Sequence, residues 1–88
     1  MFSNSNLKKQ SFLIYGLGSS GRSVVKFFKK RKINNYKIWD DKKKNLMKNK
    51  RPQNLKKTLN NVNYIILSPG ISLKKKKFLF RFKDKIIT

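Results

Sequence analysis

Gly16, Gly18 and Gly21 are spaced as in the G-x-G-x-x-G turns that hold phosphate groups. The apolar run Phe12-Leu-Ile-Tyr15 precedes them and a helical pattern follows, which predicts a strand, a tight turn and a helix start. Gly16 would permit the sharp turn, Gly18 would let a ligand approach the backbone, and Gly21 would let the helix pack on the strand. The N–H groups around Ser19–Arg22 would attract an anion. The pattern favours a nucleotide phosphate site over a purely structural turn.

A second set of candidate residues follows the alternating segment Tyr36-Lys-Ile-Trp39, which predicts a strand nearer the sheet edge. Asp40 lies about 20 residues after the glycine loop, where an acidic residue can hold a sugar or a base. Asp40 and Asp41 are the only acids before Asp84. The alternative is that they cap the next helix, since Asp is a favoured N-cap residue.

A third set follows the apolar run Val62–Leu67, which predicts another buried parallel strand. The run ends in Ser68-Pro69-Gly70-Ile71. Open α/β sheets bind ligands at the carboxyl ends of their strands, so this turn is a candidate wall of the same crevice. An ordinary Pro-Gly turn is the alternative.

The remaining pattern predicts an α/β fold, a Rossmann-like open parallel sheet with flanking helices that is incomplete at its C-terminal end. Residues 1–10 read as a polar, irregular lead-in and residues 11–88 as the domain. The pattern predicts a helix over Ser20–Arg31 with Val24, Phe27 and Phe28 in the core, which ends in a left-handed conformation at Asn34-Asn35. It predicts a weakly helical segment over Lys42–Arg51 and a short helix over Gln53–Leu59. It also predicts a helix over Leu73–Lys83 with Phe78, Leu79 and Phe82 on one face, and the beginning of a strand at Lys85–Thr88.

Composition excludes several kinds of site. The 88 residues contain no cysteine and no histidine, which removes thiolate and imidazole chemistry, and we expect no metal site. No apolar run approaches the ~18 residues of a membrane span and the N-terminus lacks a signal-peptide pattern, so we expect a cytoplasmic chain with no membrane partner.

The formal charge of +21 could indicate a polyanion partner. The chain has twenty lysines, four arginines, ten asparagines and no alanine, a pattern that A/T-rich codons explain. A phosphate-reading protein more often uses arginine for its bidentate fork. We therefore expect no specific nucleic-acid partner, although non-specific attraction to polyanions remains an alternative.

Three segments in order, Gly16-Leu-Gly-Ser-Ser-Gly-Arg-Ser23, Trp39-Asp-Asp41 and Ile66-Leu-Ser-Pro-Gly-Ile71, resemble the N-terminal domain of the Mur ligases, most closely the MurD type. The resemblance covers roughly residues 12–88 and implies a monomeric, Rossmann-like domain that binds UDP-N-acetylmuramoyl-L-alanine for peptidoglycan synthesis. Family members use ATP and Mg²⁺ to form an acyl phosphate that the amine of D-glutamate attacks. The chain has no Gly-Lys-Ser/Thr, so the resemblance implies a truncated ligase with no cofactor or catalytic residue of its own.

The resemblance implies a set of residues that bind the UDP part of the substrate. The serines and the Gly18 backbone would face the diphosphate, the Asp40 segment would lie at the uracil, and the third turn would form the opposite wall. The full set is Gly16, Gly18, Ser19, Ser20, Gly21, Asp40, Asp41, Lys42, Ser68, Pro69 and Gly70. The alternative is an NAD(P)-binding module of a dehydrogenase or a regulatory sensor, with Asp40 on the adenosine ribose.

Overall fold

A computed structural model describes residues 4–42 and 48–87 of the chain. Four parallel strands form one sheet: β1 (Phe12–Tyr15), β2 (Tyr36–Trp39), β3 (Tyr64–Leu67) and β4 (Ile86–Ile87). Their order across the sheet is β2-β1-β3-β4, so the chain moves outward from β1 to one side and then to the other. This reversal opens a crevice at the carboxyl ends of β1 and β3. The predicted α/β class, the parallel sheet and the edge position of β2 are confirmed.

The sheet separates two apolar cores. Phe12 and Ile14 of β1 pack on one face, and Leu13 and Tyr15 pack on the other. All four side chains are buried, as the unbroken apolar run predicts for a strand covered on both faces. Strand β1 therefore holds the following glycine loop on a rigid support.

Helix α2 covers the first core and begins directly after the glycine loop. In chain order the helices are α1 (Asn4–Lys9), α2 (Ser19–Lys30) and α3 (Leu55–Asn61). Phe28 of α2 is 3% exposed, but Phe27 is 42% exposed with the Arg31 guanidinium 5.3 Å from its ring centre. The prediction that both phenylalanines are core residues is therefore wrong for Phe27, because the inward stripe of α2 follows Gly21, Val25 and Phe28.

The end of α2 also differs from the prediction. Lys32, with a φ of 57°, takes the left-handed conformation that was expected at Asn34-Asn35. The N–H of Ile33 then donates to the carbonyl of Phe28 at 2.8 Å, which closes the helix end. Because Lys32 already makes the turn, the two asparagines only lead the chain into β2.

Helix α3 covers the second core, with Leu59 buried and Leu55 half-buried, as predicted. Asn54 caps it, since the Asn54 side chain accepts from the N–H of Lys57 at 3.0 Å. Within the described part of the predicted helix Lys42–Arg51, only a 3-10 turn at Lys48–Lys50 forms. Residues 43–47 of that prediction lie outside the described residues.

Two segments were predicted wrongly. Helix α1 forms in the supposed irregular lead-in, and Leu7 packs on the first core. The segment expected as a helix from Leu73 instead forms turns and then a 3-10 helix over Lys77–Lys85, kinked at Phe82. With three residues per turn, Leu79 and Phe82 face the core, and Phe78 is 45% exposed. None of the described helices is long and apolar enough to cross a membrane.

Candidate functional site

The glycine loop has three glycines with three different structural roles. Gly16 has a φ of +103°, and a Cβ there would meet the Ser68 hydroxyl at 2.7 Å. A Cβ at Gly21 would overlap the carbonyl oxygen of Gly16, which is how α2 packs close to the end of β1. Gly18 has an ordinary extended conformation and nothing within 4 Å of its Cβ position. The sharp turn at Gly16 and the close packing at Gly21 are confirmed. The ligand contact at Gly18 stays a prediction.

The start of α2 points its backbone N–H groups toward the same open space. Gly18 is the N-cap residue, and no side chain caps the helix there. The first helical hydrogen bond runs from the N–H of Arg22 to the carbonyl of Gly18 at 3.0 Å. Ser19 and Ser20 are exposed in this first turn. The N-terminal end of a 12-residue helix carries a positive partial charge, which favours an anion.

Asp40, at the end of β2, supports the glycine loop through hydrogen bonds to its side chain. One carboxylate oxygen accepts from the N–H of Leu17 at 2.6 Å, and the other accepts from the N–H of Lys42 at 2.8 Å. The guanidinium of Arg51 donates to the Asp40 carbonyl at 3.3 Å. Asp40 therefore fixes the loop conformation, and its placement at a uracil stays a prediction.

Asp41 connects three elements around the crevice. Its Oδ1 accepts from the indole N–H of Trp39 at 2.8 Å and from the hydroxyl of Tyr15 at 3.4 Å. Its Oδ2 forms an ion pair with the Lys76 ammonium at 2.6 Å. The alternative that Asp40 and Asp41 cap the next helix involves residues 43–47, which lie outside the described residues. In the described part, Asp41 ties β1 and β2 to the segment that follows β3.

These contacts shift two pKa values in opposite directions. The hydrogen bond from Lys76 is the main cause that lowers the pKa of Asp41, with help from Trp39 and Tyr15 and against the effect of burial. Burial is the main cause that raises the pKa of Tyr15 to about 12, and the nearby Asp41 charge adds to it. At neutral pH Asp41 is therefore a carboxylate and Tyr15 a neutral hydrogen-bond donor.

Replacing Asp41 with asparagine should make the free energy of unfolding less sensitive to acid. A carboxylate with a folded-state pKa below its unfolded value stabilises the fold above the unfolded pKa of about 4, and that stabilisation disappears as pH falls through the folded pKa. The Asp41 side chain is 43% exposed, so we expect the substitution to cost less than about 1 kcal/mol at pH 7 and to cost less at pH 3 than at pH 7. Urea unfolding at both pH values measures this difference.

Asp84→Asn is the matched control, because it removes one carboxylate from an exposed position without touching the crevice. An Asp41→Asn chain whose stability deficit grew on acidification would contradict the assignment of the Lys76 ion pair. Lys76→Gln should reproduce the pH 7 deficit of Asp41→Asn, since either change breaks the same contact.

The turn after β3 closes the other side of the crevice. The Ser68 hydroxyl donates to the carbonyl of Gly16 at 3.1 Å, and the N–H of Ser68 donates to the carbonyl of Tyr15 at 3.1 Å. The N–H of Ile71 then donates back to the Ser68 carbonyl at 3.0 Å, which forms the turn. Ser68 therefore fixes the distance between this turn and the glycine loop.

A cavity of about 260 Å³ lies between the three carboxyl-end segments. It brings together most of the predicted site residues: Gly16, Gly18, Asp40, Asp41, Lys42, Ser68 and Gly70. Ser19, Ser20, Gly21 and Pro69 do not line it. Gly21 is buried beneath the loop, and the other three are exposed around it. Gly21 thus has the packing role that its spacing predicts, and its place among the UDP-binding residues stays a prediction.

Sequence reasoning missed several residues at this site. Tyr15 lines the cavity together with Ile71 of the predicted turn, and Lys76 reaches Asp41 from outside the cavity. Tyr15 could have been found as the only polar group in the apolar run of β1. Lys76 gave no signal, because it is one of four successive lysines. Arg51, stacked 3.9 Å from the Trp39 ring centre, also gave none.

Comparison with known proteins agrees with this geometry. No curated protein and no solved structure shows a significant match to the chain. The family model described as "Mur ligase MurD-like, N-terminal domain" matches residues 10–87. This range includes the whole sheet and all three segments around the cavity. The chain therefore belongs to the MurD-like N-terminal domain family of the Mur ligases, the enzymes of peptidoglycan synthesis.

Proposed function

We propose that this chain binds the UDP part of UDP-N-acetylmuramoyl-L-alanine and presents it to a D-glutamate-adding ligase reaction. The observation that carries the proposal is the open space above Gly18. The backbone of Gly18 needs no glycine for its conformation, and nothing in the fold fills its Cβ position. A ligand that approaches the main chain at this point explains why a side chain would be unfavourable there.

The groups around Gly18 suit a diphosphate. The N–H groups that begin α2 and the hydroxyls of Ser19 and Ser20 are donors on one side. Lys42 and the backbone of Gly70 line the cavity on the other sides. Donors and a helix N-terminus together favour a charged phosphate over a neutral ligand.

The cavity size fits part of a substrate. About 260 Å³ is smaller than the 300–1,000 Å³ of sites that enclose a whole drug-sized ligand. We therefore assign it to the nucleotide end of the substrate, with the amino sugar and the alanine extending outside. The chain would supply substrate binding, while the ATP-dependent step needs a Gly-Lys-Ser/Thr phosphate loop that this sequence does not contain.

The contacts of Asp40 favour this proposal over an NAD(P)-binding module. In a dinucleotide site the acidic residue after β2 holds the ribose hydroxyls. Here both oxygens of Asp40 already accept from main-chain N–H groups at 2.6 and 2.8 Å. A ribose would have to share these two oxygens with the hydrogen bonds that shape the glycine loop.

Trp39 fluorescence provides the direct test. Its indole N–H donates to Asp41, which lines the cavity, so a ligand there should change the emission. We would titrate UDP-N-acetylmuramoyl-L-alanine, UMP, AMP and NADH at moderate and high salt. Uridine-selective quenching that survives high salt supports the proposal. A preference for NADH favours the dehydrogenase-like reading, and an equal, salt-sensitive response to every anion indicates charge attraction alone.

Replacing Gly18 with valine should remove nucleotide binding and leave the fold intact. The new side chain would occupy the space that the phosphate needs, so the affinity for the UDP substrate should fall by about 100-fold or more. Nothing lies within 4 Å of the Cβ position, so the free energy of unfolding should fall only by about 1 kcal/mol, the cost of replacing glycine with a non-capping residue at the N-cap of α2. The same fluorescence titration and urea unfolding measure both quantities.

Gln53→Ala, an exposed position outside this cavity, serves as the control for a surface change of similar size. If Gly18→Val bound the UDP substrate as tightly as the unmodified chain, the glycine loop would not be the site. A loss of affinity with equal loss of stability would mean that the loop, and not ligand access, had been damaged.

A further inference from the structure

The segment after β3 carries an unusual outer surface of cations and exposed aromatic rings. We call it the basic-aromatic surface and define it by its side chains, Lys74, Lys77, Phe78, Phe80, Arg81 and Lys83. The phenyl groups are 45% exposed at Phe78 and 56% exposed at Phe80. A large apolar side chain that stays exposed beside several cations is informative, whereas a single exposed lysine is not.

The 3-10 geometry explains this arrangement. With three residues per turn, Leu79 and Phe82 occupy the inward face of the 3-10 helix and anchor it on the second core. Phe78 and Phe80 then lie on the two remaining faces and are partly exposed, and the Phe78 ring also lies 6.4 Å from the Tyr15 ring, between centroids.

An apolar hollow accompanies each ring. Phe78 lines a hollow of about 360 Å³ together with Leu55 and Leu59 of α3. Phe80 borders a second hollow of about 370 Å³ beside Leu73. Cations lie at both: Lys56 and Arg81 at the first, and Lys74 and Lys77 at the second. No acidic side chain lines either hollow.

We propose that the basic-aromatic surface binds an anionic lipid bilayer, with Phe78 and Phe80 in the acyl-chain boundary and the cations at the phosphate level. Charge complementarity identifies the occupant: the chain carries +21, and lysines near an anionic leaflet each contribute favourably. A second copy of the chain would bring a further +21 and be repelled. A docked peptide helix would fill one hollow, whereas a bilayer can bury both exposed rings at the same time.

This inference differs from the expectation of no membrane partner, which rested on the lack of a spanning segment. A chain can lie on a bilayer without crossing it. The only acid in the segment, Asp84, is on the same 3-10 helix and does not line either hollow. Its single charge is opposed by the four cations of the basic-aromatic surface.

Vesicle co-flotation tests the aromatic contribution. The full chain would be mixed with phosphatidylcholine vesicles that contain either 30% phosphatidylglycerol or none. We expect flotation with the anionic vesicles only, and Phe80→Ser should lower the partition coefficient by about tenfold. Phe27→Ser is the matched control, since Phe27 is also exposed and has an arginine near its ring, but it lies on α2. It should change the partition coefficient by less than about twofold.

A lysine pair tests whether the surface, and not the total charge, is responsible. Replacing Lys74 and Lys77 with glutamine should lower the partition coefficient by about 25-fold, because each lysine near an anionic surface contributes about fivefold. Replacing the exposed Lys26 and Lys29 of α2 removes the same charge and should have a much smaller effect. Gly18→Val should leave vesicle binding unchanged, because the glycine loop is outside both hollows.

Several outcomes would overturn the proposal. Equal effects of the two lysine pairs, or of Phe80→Ser and Phe27→Ser, would mean general attraction between a cation and an anionic surface. Displacement of the chain from vesicles by millimolar inorganic phosphate would indicate a free-anion site. Tighter, Phe80-dependent binding to a single-stranded oligonucleotide or to an acidic amphipathic peptide would assign the surface to that class of partner instead.

Discussion

Replacing Gly21 with alanine is expected to cost about 3 kcal/mol or more of the free energy of unfolding. The added Cβ would overlap the carbonyl oxygen of Gly16, which is backbone and cannot rotate away. The same carbonyl accepts from the Ser68 hydroxyl at 3.1 Å, so moving it also disturbs the turn after β3. For a small domain of marginal stability this loss would unfold much of the population. Urea unfolding followed by circular dichroism measures it.

Gly18→Ala is the matched control, since it adds the same methyl group three residues earlier in open space. Because Gly18 is the N-cap of α2, the change should lower the free energy of unfolding by about 1 kcal/mol, well below the loss expected for Gly21→Ala. A stable Gly21→Ala chain would show that α2 can shift along β1. The close approach of the helix to the strand would then not be what requires the third glycine.

The sequence predicted the support of the site well, because each part of that support is local. A continuous apolar run that ends at a glycine turn is typical of a strand that is covered on both faces, and β1 is buried throughout. The glycine spacing specified a turn with one left-handed residue and one close contact, which are found at Gly16 and Gly21. Parallel strands bring their carboxyl ends to one edge, so the three segments had to meet there.

The contacts across the crevice could not be predicted, because they depend on distances between segments that are far apart in sequence. Asp41 pairs with Lys76, 35 residues away, and nothing distinguishes that lysine from its three neighbours. The expectation that Asp40 faces a ligand stays a prediction, and the hydrogen bond that its carboxylate accepts from the Leu17 N–H was not predicted. The sequence pattern of an acidic residue at the end of β2 is the same whether that residue contacts a ligand or supports the loop backbone.

Predictions from helical spacing were also wrong where packing on the core produces a different helix type or a different rotation of the helix about its axis. Spacing alone put Phe27 and Phe28 together in the core, yet an inward stripe about 100° wide holds only one of two consecutive residues. The segment Lys77–Lys85 has apolar residues that fit both an α-helix and a 3-10 helix. Only contact with the second core selects the tighter form, through Leu79.

Replacing Phe28 with alanine should lower the free energy of unfolding by about 3–5 kcal/mol, because it removes the centre of the first core. The Phe28 ring is 3% exposed and lies 4.9 Å from the Phe12 ring and 5.2 Å from the Tyr36 ring, between centroids. It thus joins α2 to both β1 and β2, and its loss leaves a cavity that these strands cannot close without breaking their register. Urea unfolding measures the loss.

Phe27→Ala is the control that separates the loss of a buried ring from the loss of any phenyl ring, since Phe27 and Phe28 are neighbours in sequence and differ in exposure. We expect less than about 1 kcal/mol for Phe27→Ala, mainly from the lost contact with Arg31 at 5.3 Å. Equal losses for the two variants would mean that α2 is rotated so that both rings share the core. That rotation would also move the first turn of α2, and with it the N–H groups that we assign to the diphosphate.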